Sequence, residues 1–189
     1  MIEIKVYQAD NVSHEVLKSV SLLLQDSFAE RREQGINFRC GTYSAKDVEN
    51  VLIGSGGGYL LTANEDDKII GTIFFIKRNK GGFKYANHDH LGVANSYKGH
   101  GVARALFSEF LRIAKENDLD FITSITATKA ESSVRYHLKM GFVIWGKSYS
   151  KGYNSYSFIY PLKKFRILRY EPFRSIAYAI KTGVGLIKR

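Results

Sequence analysis

The stretch Leu91–Leu111, LGVANSYKGHGVARALFSEFL, decides how the rest of the chain is read. Leu91 and Val93 are the last apolar residues of a strand, and Asn95-Ser96 is a turn pair. Gly99 and Gly101 flank His100, after which Val102, Leu106, Phe110 and Ile113 recur at helical spacing. A glycine turn running into a helix leaves several N–H groups pointing out of the helix start, with the positive end of the dipole behind them. Such a mouth binds anions, and a phosphate or diphosphate is its usual occupant.

Three phosphate-binding patterns can be laid on this stretch. A Walker-type loop ends in Gly-Lys-Ser/Thr, but Val102 and Ala103 follow Gly101. A dinucleotide fingerprint needs a glycine where Arg104 stands and an acid closing the next strand; Asp120 instead precedes the apolar run FITSIT. The third pattern fits. Lys98-Gly99-His100-Gly101-Val102-Ala103 resembles the Arg/Gln-x-x-Gly-x-Gly/Ala loop of the GNAT N-acetyltransferase superfamily. A second segment, Ser132–Phe142, resembles that family's Tyr-x-Lys-x-Gly-Phe motif. Lys139, Gly141 and Phe142 agree; His137 stands at the tyrosine, and Ala130 at the family's asparagine. The two motifs cover residues 68–162, while the first 60 residues match in element order alone.

The elements fall in the order the resemblance requires. IEIKVYQ alternates as a strand, Ser13 caps a helix with Val16, Val20, Leu23, Leu24 and Phe28 on its apolar face, and Ser44 opens a second helix closed at Gly54. GYLLTA and KIIGTIFFIKR form a hairpin about Asn64–Asp67, and FKYANHDHLGV runs into the glycine loop. After the loop's helix come the strand FITSITAT, the helix ESSVRYHLKM ending at Gly141, and the strands FVIWGKSY and NSYSFIYPL. The expected fold is a GNAT-like mixed α/β architecture. A mostly antiparallel central sheet carries helices on both faces, and a basic extension follows at the C-terminus.

The resemblance implies acetyl-CoA as co-substrate and no metal. It places the pantetheine along Leu91-Gly92-Val93, with the Val93 N–H on the thioester carbonyl. The amides of Gly99, His100, Gly101, Val102, Ala103 and Arg104 would hold the diphosphate, with Lys98 and Arg104 adding charge. Lysine at the usual Arg/Gln position keeps the charge but loses the planar fork.

The family tyrosine commonly protonates the departing thiolate, and His137 occupies that position. It would serve as an imidazolium, or pack beside the cofactor while water supplies the proton; both readings stay open. Tyr136 points about 100° away around the helix and cannot simply replace it. For the general base, His88, Asp89 and His90 lie on the strand entering the loop. Alternation puts His88 and His90 on one face, and Asp89 with Leu91 and Val93 on the other. His88 or His90 is expected to take the amine proton directly or through water, against the plainer reading of surface polar residues. His-x-His without a third ligand falls short of a metal site.

The length of 189 residues, with 44% hydrophobic and 24% charged residues, suits one domain with an appendage. The expected division is an acetyltransferase domain over 1–162 and a basic, helical extension over 163–189, which carries +7 of the chain's +10. That extension has helical spacing through Phe173, Ile176, Ile180 and Val184. It suits packing on the domain or in a homodimer, or contact with an anionic membrane or nucleic acid. No apolar run reaches the ~20 residues of a membrane span, and the N-terminus lacks a signal pattern, so the protein is read as cytosolic. A single Cys40 excludes an internal disulfide.

The expected function is direct acetyl transfer from acetyl-CoA to a primary amine, since neither motif holds a cysteine for an acyl-enzyme. A small amine or amino sugar leads as acceptor, ahead of a protein or aminoacyl-tRNA. The competing function is a non-catalytic fold-alike that binds CoA, nucleic acid or membrane.

Overall fold

The computed structural model describes residues 2–36, 38–54, 57–150 and 153–163. The expected helix in the C-terminal extension therefore lies outside the described residues. The elements are β1 (Glu3–Gln8), α1 (His14–Ser27), α2 (Ala29–Glu33), α3 (Ala45–Ile53), β2 (Gly58–Glu65), β3 (Lys68–Lys80) and β4 (Phe83–Val93). They continue with α4 (Val102–Glu116), β5 (Phe121–Ala127), α5 (Glu131–Lys139), β6 (Val143–Ser150) and β7 (Tyr153–Pro161). No described helix is long and apolar enough to cross a membrane.

Local chemistry sets several boundaries. Ser13 Oγ accepts the Val16 N–H at the start of α1, and Ser44 with Asp47 forms a reciprocal capping box at α3. The β2–β3 hairpin turns on Asp66-Asp67, with Asp66 in the left-handed region at φ 51°. Between α1 and α3 the chain forms α2 and a 3₁₀ turn at Arg39–Thr42. Arg32 Nη1 stitches that turn to α1 by donating to the carbonyls of Gly41 and Gln25.

Seven strands form one sheet in the order β1-β2-β3-β4-β5-β7-β6, and β4–β5 is its parallel pair. That pair is short: Tyr85, Ala86 and Asn87 register with Phe121, Ile122 and Thr123. Beyond Asn87 and Thr123 the two strands no longer pair, and a gap opens in the sheet. One face buries Leu61, Ile73 and Phe75 against Leu106, Phe110 and Ile113 of α4. The other buries Leu60, Phe74 and Ile76 against Leu17, Val20 and Leu24 of α1 and Val48 and Leu52 of α3. Each fully buried side chain of this size contributes about 1.5–3 kcal/mol.

Strand β4 departs from simple alternation. Thr72 registers with Gly92 and Phe74 with Asp89, so His90 and Leu91 together oppose Ile73. This is a β-bulge, and His90 adopts φ 52° within it. The Asp89 carboxylate holds the strained residue by accepting the His90 N–H at 2.9 Å. The bulge moves His90 off the face occupied by His88. The expectation that the two share a face is corrected for that reason.

Candidate active site

The glycine loop is anchored before it is shaped. Asn95 donates its N–H and side-chain amide to Asp26 at the end of α1, and the Tyr97 hydroxyl donates to Glu65 at 2.6 Å. Gly99 at φ 85° and Gly101 at φ 83° then turn the chain into α4 through conformations that suit glycine. The N–H groups of Gly99, Gly101, Val102, Ala103 and Arg104 have no backbone acceptor among the described residues. The His100 N–H, expected to join them, is instead directed at Tyr97 O at 3.3 Å. Five free amides at the start of a 15-residue helix make an anion cradle. Lys98 and Arg104 are exposed at its edge, with Lys98 Nζ 3.4 Å from Glu30.

The cradle opens into a cavity of about 730 Å³ that follows the gap between β4 and β5. Leu91, Gly92 and Val93 line it from β4, Ser124 and Thr126 from β5, and Ser133, Tyr136 and His137 from α5. Ala94 N–H donates to Ile70 O at 2.9 Å on β3, so alternation turns the Val93 N–H the other way, into the gap. The Val93 N–H, expected to meet a thioester carbonyl, therefore points into the gap.

His137 is nearly sealed, at 3% exposure. Its Nδ1 lies 2.7 Å from Ser133 O and its Nε2 2.8 Å from Ser124 Oγ, and its ring stacks on Phe158. A carbonyl oxygen can accept but not donate, so Nδ1 carries the proton and Nε2 accepts the Ser124 hydroxyl. Burial pushes the imidazole down to about 4, which keeps it neutral. This geometry suits the packing alternative rather than the imidazolium acid.

Tyr136 also reaches the cavity. Its hydroxyl lies 3.1 Å from His88 Nε2 and 3.5 Å from Ala103 O, beside the cradle. Burial raises the phenol, which stays protonated. His88 is 3% exposed among Phe107, Phe110, Phe142 and His137, and burial lowers it to about 3. It lines the cavity beside Tyr136, as a neutral partner of the hydroxyl.

His90 lies on the α1 side, its ring stacked between Phe74 at 4.8 Å and Tyr43 at 5.3 Å. Its Nε2 is 3.1 Å from the Tyr43 hydroxyl. Its Nδ1 is 2.9 Å from Asp89 Oδ1, near enough for an ion pair but out of line for a hydrogen bond. The Asp89 side chain is 48% exposed and lines the cavity. Burial alone would raise its carboxyl, but the His90 side chain and N–H hold it below the usual carboxylate range. The structure therefore offers an ionised carboxylate backed by an imidazole.

Comparison with known proteins decides the family. The profile of the Acetyltransferase (GNAT) family matches residues 21–142, well over half of the chain. The chain belongs to the GNAT family. A curated GNAT relative, N-acetyltransferase 8B of Rattus norvegicus, is 24% identical over 106 residues, 55% of this chain and 48% of its own length. The chain thus spans about half the length of the curated relative it matches. An acetyltransferase from Streptococcus agalactiae superposes with TM-score 0.66 at 20% identity, over 85% of this chain and 98% of its own. The yncA protein of Salmonella typhimurium, solved with its cofactor acetyl-CoA, gives 0.66 at 14%, over 86% and 94%. These structures establish the GNAT fold.

The residues present fit a CoA thioester: free amides for a diphosphate, a sheet gap for the pantetheine, and an inward N–H at its end. No group of three or more metal-ligating side chains occurs among the described residues. The cavity is also lined by residues that the sequence did not place at a site. Phe28, Arg31, Phe38 and Cys40, contributed by α2 and its flanking turns, join Asp89 and Tyr153 there. No motif marks them, and Arg31 is indistinguishable in sequence from Arg32 beside it.

Proposed function

We propose that the protein is an acetyl-CoA-dependent N-acetyltransferase that moves the acetyl group directly to a primary amine. One observation carries this reading. A single cavity joins a free-amide anion cradle, a sheet gap with an inward N–H, and the Asp89 carboxylate. Acetyl-CoA supplies the acetyl group as an activated thioester. The Val93 N–H polarises the carbonyl, a contribution that strengthens as negative charge builds on that oxygen. Asp89 attracts the ammonium form of the acceptor, and Asp89 with His90 takes its proton, directly or through water. As the nitrogen–carbon bond forms and the carbon–sulfur bond breaks, Tyr136 stabilises the departing thiolate by hydrogen bonding. A coenzyme thiol near pKa ~8.5 needs only modest help to leave.

Direct transfer is favoured because Cys40 is a poor nucleophile. Burial pushes its thiol up to about 12, so it stays protonated. In this reading His137 positions α5 against β5, and His88 orients Tyr136. The test is release of free thiol from acetyl-CoA across a panel of primary amines, with Gly101→Glu as the control. The variant places a carboxylate in the cradle and forces a side chain into φ 83°. It should abolish turnover; undiminished turnover would refute the cradle assignment.

A further inference from the structure

Arg31 and Arg32 are neighbours with opposite situations. The Arg32 guanidinium is spent on the Gln25 and Gly41 carbonyls. Arg31 lines the cavity and has no side-chain hydrogen bond or ion pair among the described residues. Its guanidinium carbon sits 4.7 Å from the Phe28 ring centroid and 5.8 Å from that of Phe38. Two aromatic faces thus hold the cation in place without consuming its N–H groups.

No ion pair to it forms among the described residues: the charge of Glu30 reaches Arg31, but its carboxylate is exposed and lies 3.4 Å from Lys98 Nζ. Cys40, across from it, is a protonated thiol. Burial lowers the Arg31 guanidinium, and its charge depresses His137 as well, which places it within electrostatic reach of α5. A partly desolvated guanidinium with free donors is costly unless an anion completes it.

We infer that Arg31 receives a carboxylate on the acceptor, so that the substrate class is a free amino acid or other small amino-carboxylate with an apolar side chain. This rests on the N-acetyltransferase reading and extends it to the acceptor. Two groups of opposite charge then face the same ligand. Asp89 draws the ammonium and Arg31 the carboxylate, both lining the one cavity. The substituent finds an apolar wall in Phe28, Phe38 and Tyr153, with Phe38 and Tyr153 rings 5.9 Å apart edge to face. A peptide N-terminus lacks the carboxylate at that place, and an amino sugar has neither carboxylate nor aromatic body.

Matched acceptors separate these cases on the full chain. Phenylalanine and phenethylamine differ by one carboxylate, as do leucine and isopentylamine. The wild-type protein should prefer the carboxylate partner of each pair by about tenfold or more in kcat/KM, the size of a charge-assisted contact. Arg31→Met should bring each pair to parity, and Arg31→Lys should restore part of the preference. Calorimetry with the products N-acetylphenylalanine and N-acetylphenethylamine reads the same contact without turnover. Equal binding of the two products, or a preference that survives in Arg31→Met, would overturn the inference. A separate titration with CoA isolates the underlying reading: if CoA fails to bind, the acetyltransferase assignment falls whatever the carboxylate result.

Discussion

His88 and His90, two residues apart on β4, face opposite sides of the sheet. The bulge at His90 separates them, sending His88 to Phe107 and Tyr136 and His90 to Phe74 and Tyr43. One local irregularity therefore splits what looked like a pair into two differently placed partners. In the proposed mechanism His88 supports the thiol side through Tyr136, and His90 supports the amine side through Asp89.

Tyr136→Phe should lower kcat by about 10- to 100-fold at neutral pH, because a positioned proton donor is lost. KM for acetyl-CoA should change little, since the proposal assigns the diphosphate to backbone amides of the glycine loop. Steady-state kinetics with acetyl-CoA as the varied substrate separates the two parameters. A fall in affinity with kcat intact would place Tyr136 in binding instead.

Asp89→Asn should reduce kcat/KM for the amine and lower stability. The carboxylate that draws the ammonium is gone, and the left-handed His90 N–H keeps a weaker acceptor. Asp89→Glu should recover less of the activity than its charge suggests, because the longer side chain cannot reach the same N–H. Thermal melts beside amine kinetics check both halves.

Acid should destabilise the fold well before the carboxylates titrate. His88 and His137 titrate at about 3 and about 4 when folded, below the ~6.5 of an unfolded histidine. Their neutral forms favour folding, so this contribution is complete above pH ~6.5 and is lost as pH falls toward the folded values. At pH 5 the loss is about 2 kcal/mol for each histidine. Urea midpoints at pH 7 and pH 5 measure it, and His137→Gln should remove roughly half of the difference. Equal midpoints in the wild-type protein would contradict the burial of both rings.

Cys40 should resist alkylation in the folded protein. A 7% exposed thiol pushed up to about 12 holds almost no thiolate at pH 8. Iodoacetamide with mass-spectrometric readout should label it only after denaturation. Rapid native labelling would reopen a covalent route.

Much of this architecture could be read from the chain. Ser13, Ser44 and Gly141 announced three helix boundaries by side-chain capping and left-handed freedom, which are local properties. The cradle was legible too, because Gly99 and Gly101 act through backbone geometry. The bulge was not: it adds a residue to β4 opposite Ile73, and its left-handed position falls on His90 rather than on a glycine. The place of the Tyr136 hydroxyl beside His88 was not legible, because it depends on how α5 packs on β4. Arg31 was invisible, since its role depends on Phe28 and Phe38 closing around it in space.

The three rungs between Tyr85–Asn87 and Phe121–Thr123 leave the far edge of β4 without a neighbour. A long co-substrate lying there acts as a splint, completing ladder bonds that the polypeptide itself omits. Loading and stiffening then become one event, and amide exchange at Val93 should slow sharply once CoA is added.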